Sequence, residues 1–282
     1  MARDSIRTIA VLKAPRATSR TPPPFAPPAR AAEVVSQNTV GYKKVNLNTG
    51  YNMLGVQFTK VGGGDKTLGD VFTGNLPDME YDEQADALVW NAKLLQWNGG
   101  GYNTYYWVGK KGEEIFEDAS YDDVWVADEL GENKASGSLP IGDGVFLWTS
   151  GSGVTVTQSG EVATNATKDV TLSLGYNLVC NPFPEAISIQ DIPFSGLPDM
   201  EYDEQADALV WNAKLLQWNG GGYNTYYWVG KKGEEIFEDT SYDDVWVADE
   251  LGENKASGTI GIGDGFFVWL NKGDSAKISF TK

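Results

Sequence analysis

The chain of 282 residues contains no histidine. That removes the most common general base and the usual zinc or copper ligand, and it rules out Ser/His/Asp catalysis. Cysteine is nearly absent: Cys180 stands alone, so no intrachain disulfide, Cys cluster or paired redox motif can form. No apolar run approaches the ~18 residues that a membrane-spanning helix needs. Neither a Gly-x-Ser-x-Gly elbow nor a phosphate-binding loop occurs. Cationic residues are scarce, with 22 Lys and Arg against 39 Asp and Glu, a net charge of −17. Such a body repels phosphate backbones, so nucleic acid is not an expected partner.

What the chain has in abundance is itself. Residues 76–137 recur at 197–258 with an offset of 121, and Ala119 against Thr240 is the one difference in 62 positions. A repeat of that length is a folding unit rather than a short motif. Each copy carries 14 Asp and Glu against 4 Lys, a net −10. Looser similarity extends on both sides. Gly50, Tyr51 and Asn52 match Gly175, Tyr176 and Asn177, now at an offset of 125, and Ile141, Gly142, Asp143 and Gly144 match Ile262, Gly263, Asp264 and Gly265. The slip between offsets falls in 59–75, where the copies diverge as loops do. The boundaries that follow are 32–160 and 161–282, joined by the short stretch 158–161. Cys180 takes the place of Gly55 in this alignment, and a small buried core residue is its ordinary role.

Residues 1–31 differ from the rest. They carry six Lys and Arg and one acid, include TPPPFAPPARA, and end in a small-x-small sequence of the kind signal peptidases cut. An apolar leader segment does not precede that sequence. The stretch therefore reads as an export leader, as a basic, Pro-rich flexible arm, or as an arm that docks on a neighbouring subunit.

The texture of the body is β. Val154 to Thr157 and Lys277 to Phe280 alternate strictly. Ala87 to Trp90 and Leu94 to Trp97 suggest a hairpin, followed by the turn Asn98 to Gly101 and a third strand from Tyr102 to Val108. Period 2 puts Tyr102, Thr104 and Tyr106 on one face and Asn103, Tyr105 and Trp107 on the other. Helix is limited to short candidates at Asp78 to Ala87 and Ser188 to Ile192. The expectation is an all-β protein of two tandem, near-identical β-sandwich or partly open barrel units with short helices only.

Several strings carry a resemblance: AEVVSQNTVGY at 32–42, GYNLVCNPFP at 175–184, the Tyr-x-x-Tyr-Tyr-Trp strand, and IGDGFFVW at 262–269. Together they resemble a large group of uncharacterised, exported, β-rich bacterial proteins. The resemblance covers residues 32–282 and implies export, to the medium or the cell surface, and a β fold. It implies no catalytic residue.

Two kinds of candidate site remain. Asp78, Glu80 and Asp82, repeated as Asp199, Glu201 and Asp203, alternate along an extended segment and would suit calcium, a hard cation with six to eight oxygen ligands. A solvated acidic face explains the same string, as it does Asp118, Asp122, Asp123, Asp128 and Glu129. The stronger lead is aromatic. Trp97, Tyr102, Tyr105 and Trp107, with Trp218, Tyr223, Tyr226 and Trp228, flank the Gly-rich turns, and such rings stack on sugars or anchor protein contacts. Large aromatic cores also use such residues. The leading expectation is a non-enzymatic structural or surface protein that self-assembles as a homo-oligomer, into a filament, sheath or array, through its repeated units and its arm. The alternative is a tandem carbohydrate-binding or adhesion module with a polysaccharide partner. A glycoside hydrolase using paired carboxylates comes third.

Overall fold

A computed structural model describes residues 40–162, 167–273 and 276–281. The arm or leader expected at 1–31 lies outside them. The described chain is mostly strand, with helices of only three to five residues such as Leu68–Val71 and Gly112–Phe116.

Each unit is built on the same five-stranded sheet. In the first unit the main strands are β1 (Val40–Asn46), β2 (Gly50–Gly55), β3 (Ala92–Trp97), β4 (Tyr102–Trp107), β5 (Trp125–Val126), β6 (Gly144–Thr149) and β7 (Thr155–Val162). In the second they are β8 (Thr167–Thr171), β9 (Gly175–Cys180), β10 (Ala213–Trp218), β11 (Tyr223–Trp228), β12 (Trp246–Val247), β13 (Gly265–Leu270) and β14 (Lys277–Thr281). The large sheet runs β5-β4-β3-β6-β2 in one and β12-β11-β10-β13-β9 in the other. All its pairs are antiparallel, so short connections suffice. A smaller sheet on β7 pairs with β1, and its counterpart pairs β8 with β14. Between the two sheets lies one apolar core per unit. Leu94, Val145, Leu147 and Val156 are among the buried residues of the first, and Leu215, Phe266, Val268 and Ile278 of the second.

The expectation of β structure with short helices is met. The sheets are small and stand in a ring, propeller-like, and do not close as two clear tandem sandwiches. Short strands with frequent turns satisfy either arrangement, so strand periodicity alone does not choose between them. Three local readings are corrected. Ala87–Val89 pairs back onto Glu80–Asp82 rather than forward onto β3, so the helix expected at Asp78 to Ala87 is a hairpin. Asp86 takes a left-handed φ of 51° in its turn, which Asp tolerates. The joint expected at 158–161 belongs to strand β7, which runs on to Val162.

Candidate functional site

The two units meet along a seam with approximate twofold symmetry, and the aromatic candidates sort themselves by it. Trp97 at the end of β3 donates its indole N–H to the Tyr176 carbonyl of the second unit at 2.7 Å. Trp218, its counterpart, donates to the Tyr51 carbonyl of the first at 3.2 Å. Between them Met53 and Phe146 pack on Leu178 and Phe267, with Leu95, Trp97, Leu216 and Trp218 around them. The rings meet largely edge to face: Trp97 to Phe267 at 5.8 Å and Phe146 to Trp218 at 5.7 Å. That geometry places positive ring edges against negative faces.

Glycine permits the close approach. A Cβ on Gly144 would stand 2.7 Å from Cγ of Leu178, and one on Gly265 would stand 2.7 Å from Cγ of Met53. The Ile-Gly-Asp-Gly motif is therefore a turn and also the footing of the other unit. Backbone bonds cross at the same place in both directions, from Gly55 N to Gly263 O at 2.8 Å and from Cys180 N to Gly142 O at 2.9 Å.

On one side of the seam four tyrosines form a rim. Tyr51, Tyr102, Tyr176 and Tyr223 are between 37% and 48% exposed. Tyr102 leans on Trp97 with ring centres 5.0 Å apart, and Tyr223 leans on Trp218 at 5.1 Å. Partial burial, with the neighbouring Tyr223 and Tyr51 hydroxyls, pushes the Tyr102 phenol up to about 12. Burial and Tyr176 raise Tyr223 as well. These phenols stay neutral and available as hydrogen-bond donors at neutral pH.

Of the eight aromatic candidates, the structure brings Trp97, Tyr102, Trp218 and Tyr223 together. The other four lie elsewhere. Tyr105 and Tyr226 are buried in the two unit cores. Trp107 and Trp228 are partly buried against those cores and lean on Trp125 and Trp246 at 5.2 and 5.3 Å. Tyr51, Tyr176, Phe146 and Phe267 were missed as site residues. Their signal was the Gly-Tyr-Asn and Gly-Asp-Gly motifs flanking the repeat, which match between the copies but carry no chemistry of their own.

The acidic candidates do not converge. Among the described residues no group of three or more His, Cys, Asp or Glu side chains is placed to hold a metal ion. Asp82 instead accepts from the backbone N–H groups of Gln84 and Ala85 at 2.9 and 3.1 Å, and Asp203 does the same for Gln205 and Ala206. Asp199 accepts from Lys231 N at 3.2 Å, and Glu201 pairs with Lys272. Glu80 and Asp82 stand on one short strand ahead of the turn at 83–86, but Asp82 is taken up by the N–H groups of that turn, so the calcium set Asp78, Glu80 and Asp82 is not assembled. The second acidic set staples loops: Asp118 binds Ser120 N, Asp122 binds Gly112 N, and Asp128 binds the N–H groups of Leu130, Glu132 and Asn133.

The repeats also share an outward feature. Lys93 sits between the rings of Tyr106 and Trp148 at 5.4 and 5.5 Å, and Lys214 sits between Tyr227 and Trp269 at 5.2 and 5.4 Å. Those cation–π contacts fix the flank of each large sheet. Among the described residues no helix is long and apolar enough to cross a membrane. In comparisons with known proteins, no family model, no curated protein and no solved structure matches the chain.

Proposed function

We propose that the chain is an exported, non-enzymatic binding module that holds a polysaccharide across the tyrosine rim of the seam. The observation that carries this reading is the rim itself: four half-exposed phenol rings, two from each unit, on a floor of interlocked aromatics. Sugar rings present apolar C–H faces that stack on such rings, while phenol hydroxyls reach the sugar hydroxyls. The floor is preorganised by the reciprocal tryptophan bonds, which lowers the ordering cost of binding. Binding is favoured over hydrolysis because the acidic side chains described above hold turns. A hydrolase needs two carboxyls facing each other across a bond.

The test is retention on insoluble polysaccharides of several chemistries, with the native chain and with Tyr102→Ala combined with Tyr223→Ala. Retention of the native chain on at least one polymer, weakened tenfold or more in the double variant, is expected. Absence of retention across the panel, or retention unchanged in the double variant, would overturn the proposal.

Self-assembly is the second reading, and one observation favours it. Among the described pairings β1 is bonded on one side only, to β7, while Val40 and Tyr42 are half-exposed along it. Such an edge accepts a strand from another chain. Sedimentation at high concentration tests this reading, and a purely monomeric chain would overturn it.

A further inference from the structure

The seam is nearly symmetric, and at its centre the symmetry is broken by one pair. Gly55 ends β2 and Cys180 ends β9, and the two occupy equivalent positions. They face each other across the seam: a Cβ on Gly55 would overlap both Cβ and Sγ of Cys180. Cys180 is fully buried there, and its Sγ lies 3.6 Å from the Val56 carbonyl of the first unit.

Apart from the Lys43 bond to the Ile262 carbonyl, the contacts around this pair are reciprocal and do not distinguish one unit from the other. Tryptophan meets a tyrosine carbonyl in both directions, glycine receives Met53 or Leu178, and a β-strand amide meets the facing glycine carbonyl in both directions. A face of that kind is self-complementary, so in a second copy of the chain it would fit a like unit as readily as an unlike one. The Gly55–Cys180 pair changes that. Two second units brought together would set cysteine against cysteine with their Cβ atoms overlapping, closer than even a disulfide allows, since bridged Cβ atoms stand about 3.8 Å apart. Two first units would leave a void where the thiol belongs, and unfilled voids are destabilising.

We propose that Gly55 and Cys180 are the specificity determinant of this interface: they make the seam accept one first unit and one second unit, and keep a second copy of the chain from pairing like with like. Specificity here comes from a clash built against the wrong partner as well as a fit to the right one.

Three full-length variants test the idea: Gly55→Cys, Cys180→Gly, and the two together. Thermal midpoint and sedimentation mass are measured after refolding at high concentration under reducing conditions. Gly55→Cys should lose the most stability, and the combined variant should recover more than half of that loss, because the knob and the hole have only changed sides. Cys180→Gly removes the clash between second units and should raise the dimeric fraction severalfold over the native chain. If Gly55→Cys does not fold, folding of the combined variant supports the proposal and its failure overturns it. A Gly55→Cys variant as stable as the native chain would overturn it, as would a Cys180→Gly variant with the native dimeric fraction.

Discussion

The two units have almost the same strands, yet their ends at the seam are built from opposite chemistry. In the first unit Lys43 on β1 stands across from Gln158 on β7, and both are buried. Lys43 reaches over to donate to the Ile262 carbonyl of the second unit. Gln158 donates to Gly55 O at 2.7 Å and accepts from Gln57 N at 3.2 Å. In the second unit Lys168 is half-buried, and its partner across the strands is Phe280, fully within the apolar core. One face is tied by polar bonds and the other by packing. The lesson is where divergence was tolerated. The 62-residue block that holds the sheet flanks and loops is nearly invariant between copies. The seam residues outside it have separated into two roles.

If the seam is as symmetric as its tryptophans suggest, Trp97→Ala and Trp218→Ala should cost the same, about 2–4 kcal/mol each for a large ring and one hydrogen bond. Denaturant unfolding would measure both, and costs differing by more than about 1 kcal/mol would break the symmetry. A second contrast is expected to be unequal. Gln190 in the second unit binds the backbone N and O of Trp246 and the Ala256 carbonyl. Its place in the first unit, counted from the matching bonds of Ile189 and Leu68 to Gly258 and Gly137, is held by Gly69. Gln190→Gly should therefore cost roughly 1.5–3 kcal/mol, read in the same unfolding experiment.

The third test concerns pH. Burial raises the Asp143 carboxyl to about 6, although Lys168 of the other unit pulls it down; Asp65, in the loop where the copies diverge, pushes it up. The folded chain then holds a proton between about pH 4 and 6 that the unfolded chain, with a carboxyl near 3.9, does not. This contribution to stability is fully present below about pH 4 and is lost as pH rises through 6. Asp143 is partly solvated, so the change is about 1–2 kcal/mol. Asp143→Asn should flatten that slope in thermal unfolding across the same window, and an unchanged slope would remove Asp143 as its source. The smallest effect expected is Gly69→Gln, a gain of about 0.5–1 kcal/mol. A Cβ at Gly69 meets nothing within 4 Å, so the graft is sterically open; a loss of stability would show that the Gln190 bonds do not transfer.

Much of the fold was legible because it is local. The Asn98–Gly101 turn was expected from its glycines and joins β3 to β4, with Asn98 N bonded to Gly101 O at 3.0 Å. The two-faced character of β4 followed from its period, with Tyr105 in the unit core and Tyr106 in a separate cluster beneath the flank. The seam was not legible. It depends on how two distant surfaces complement each other, and nothing in the spacing of Trp97 points to the Tyr176 carbonyl 79 residues away. Half the aromatic site was found because strand ends beside a glycine turn attract large rings. The other half was hidden in motifs whose turn geometry already accounted for them. The exchange of Gly55 for Cys180 was visible in the alignment of the copies, but its meaning required knowing that the two face each other.

The sealed thiol gives the molecule a clock of its own. Cys180 is the only sulfhydryl in the chain, and burial holds its proton up to about 12. Alkylation needs the exposed thiolate, so it proceeds only while the two halves stand apart. A single reagent, added to the unlabelled native protein, should report how often the halves part, and a saturating ligand on the rim should slow it.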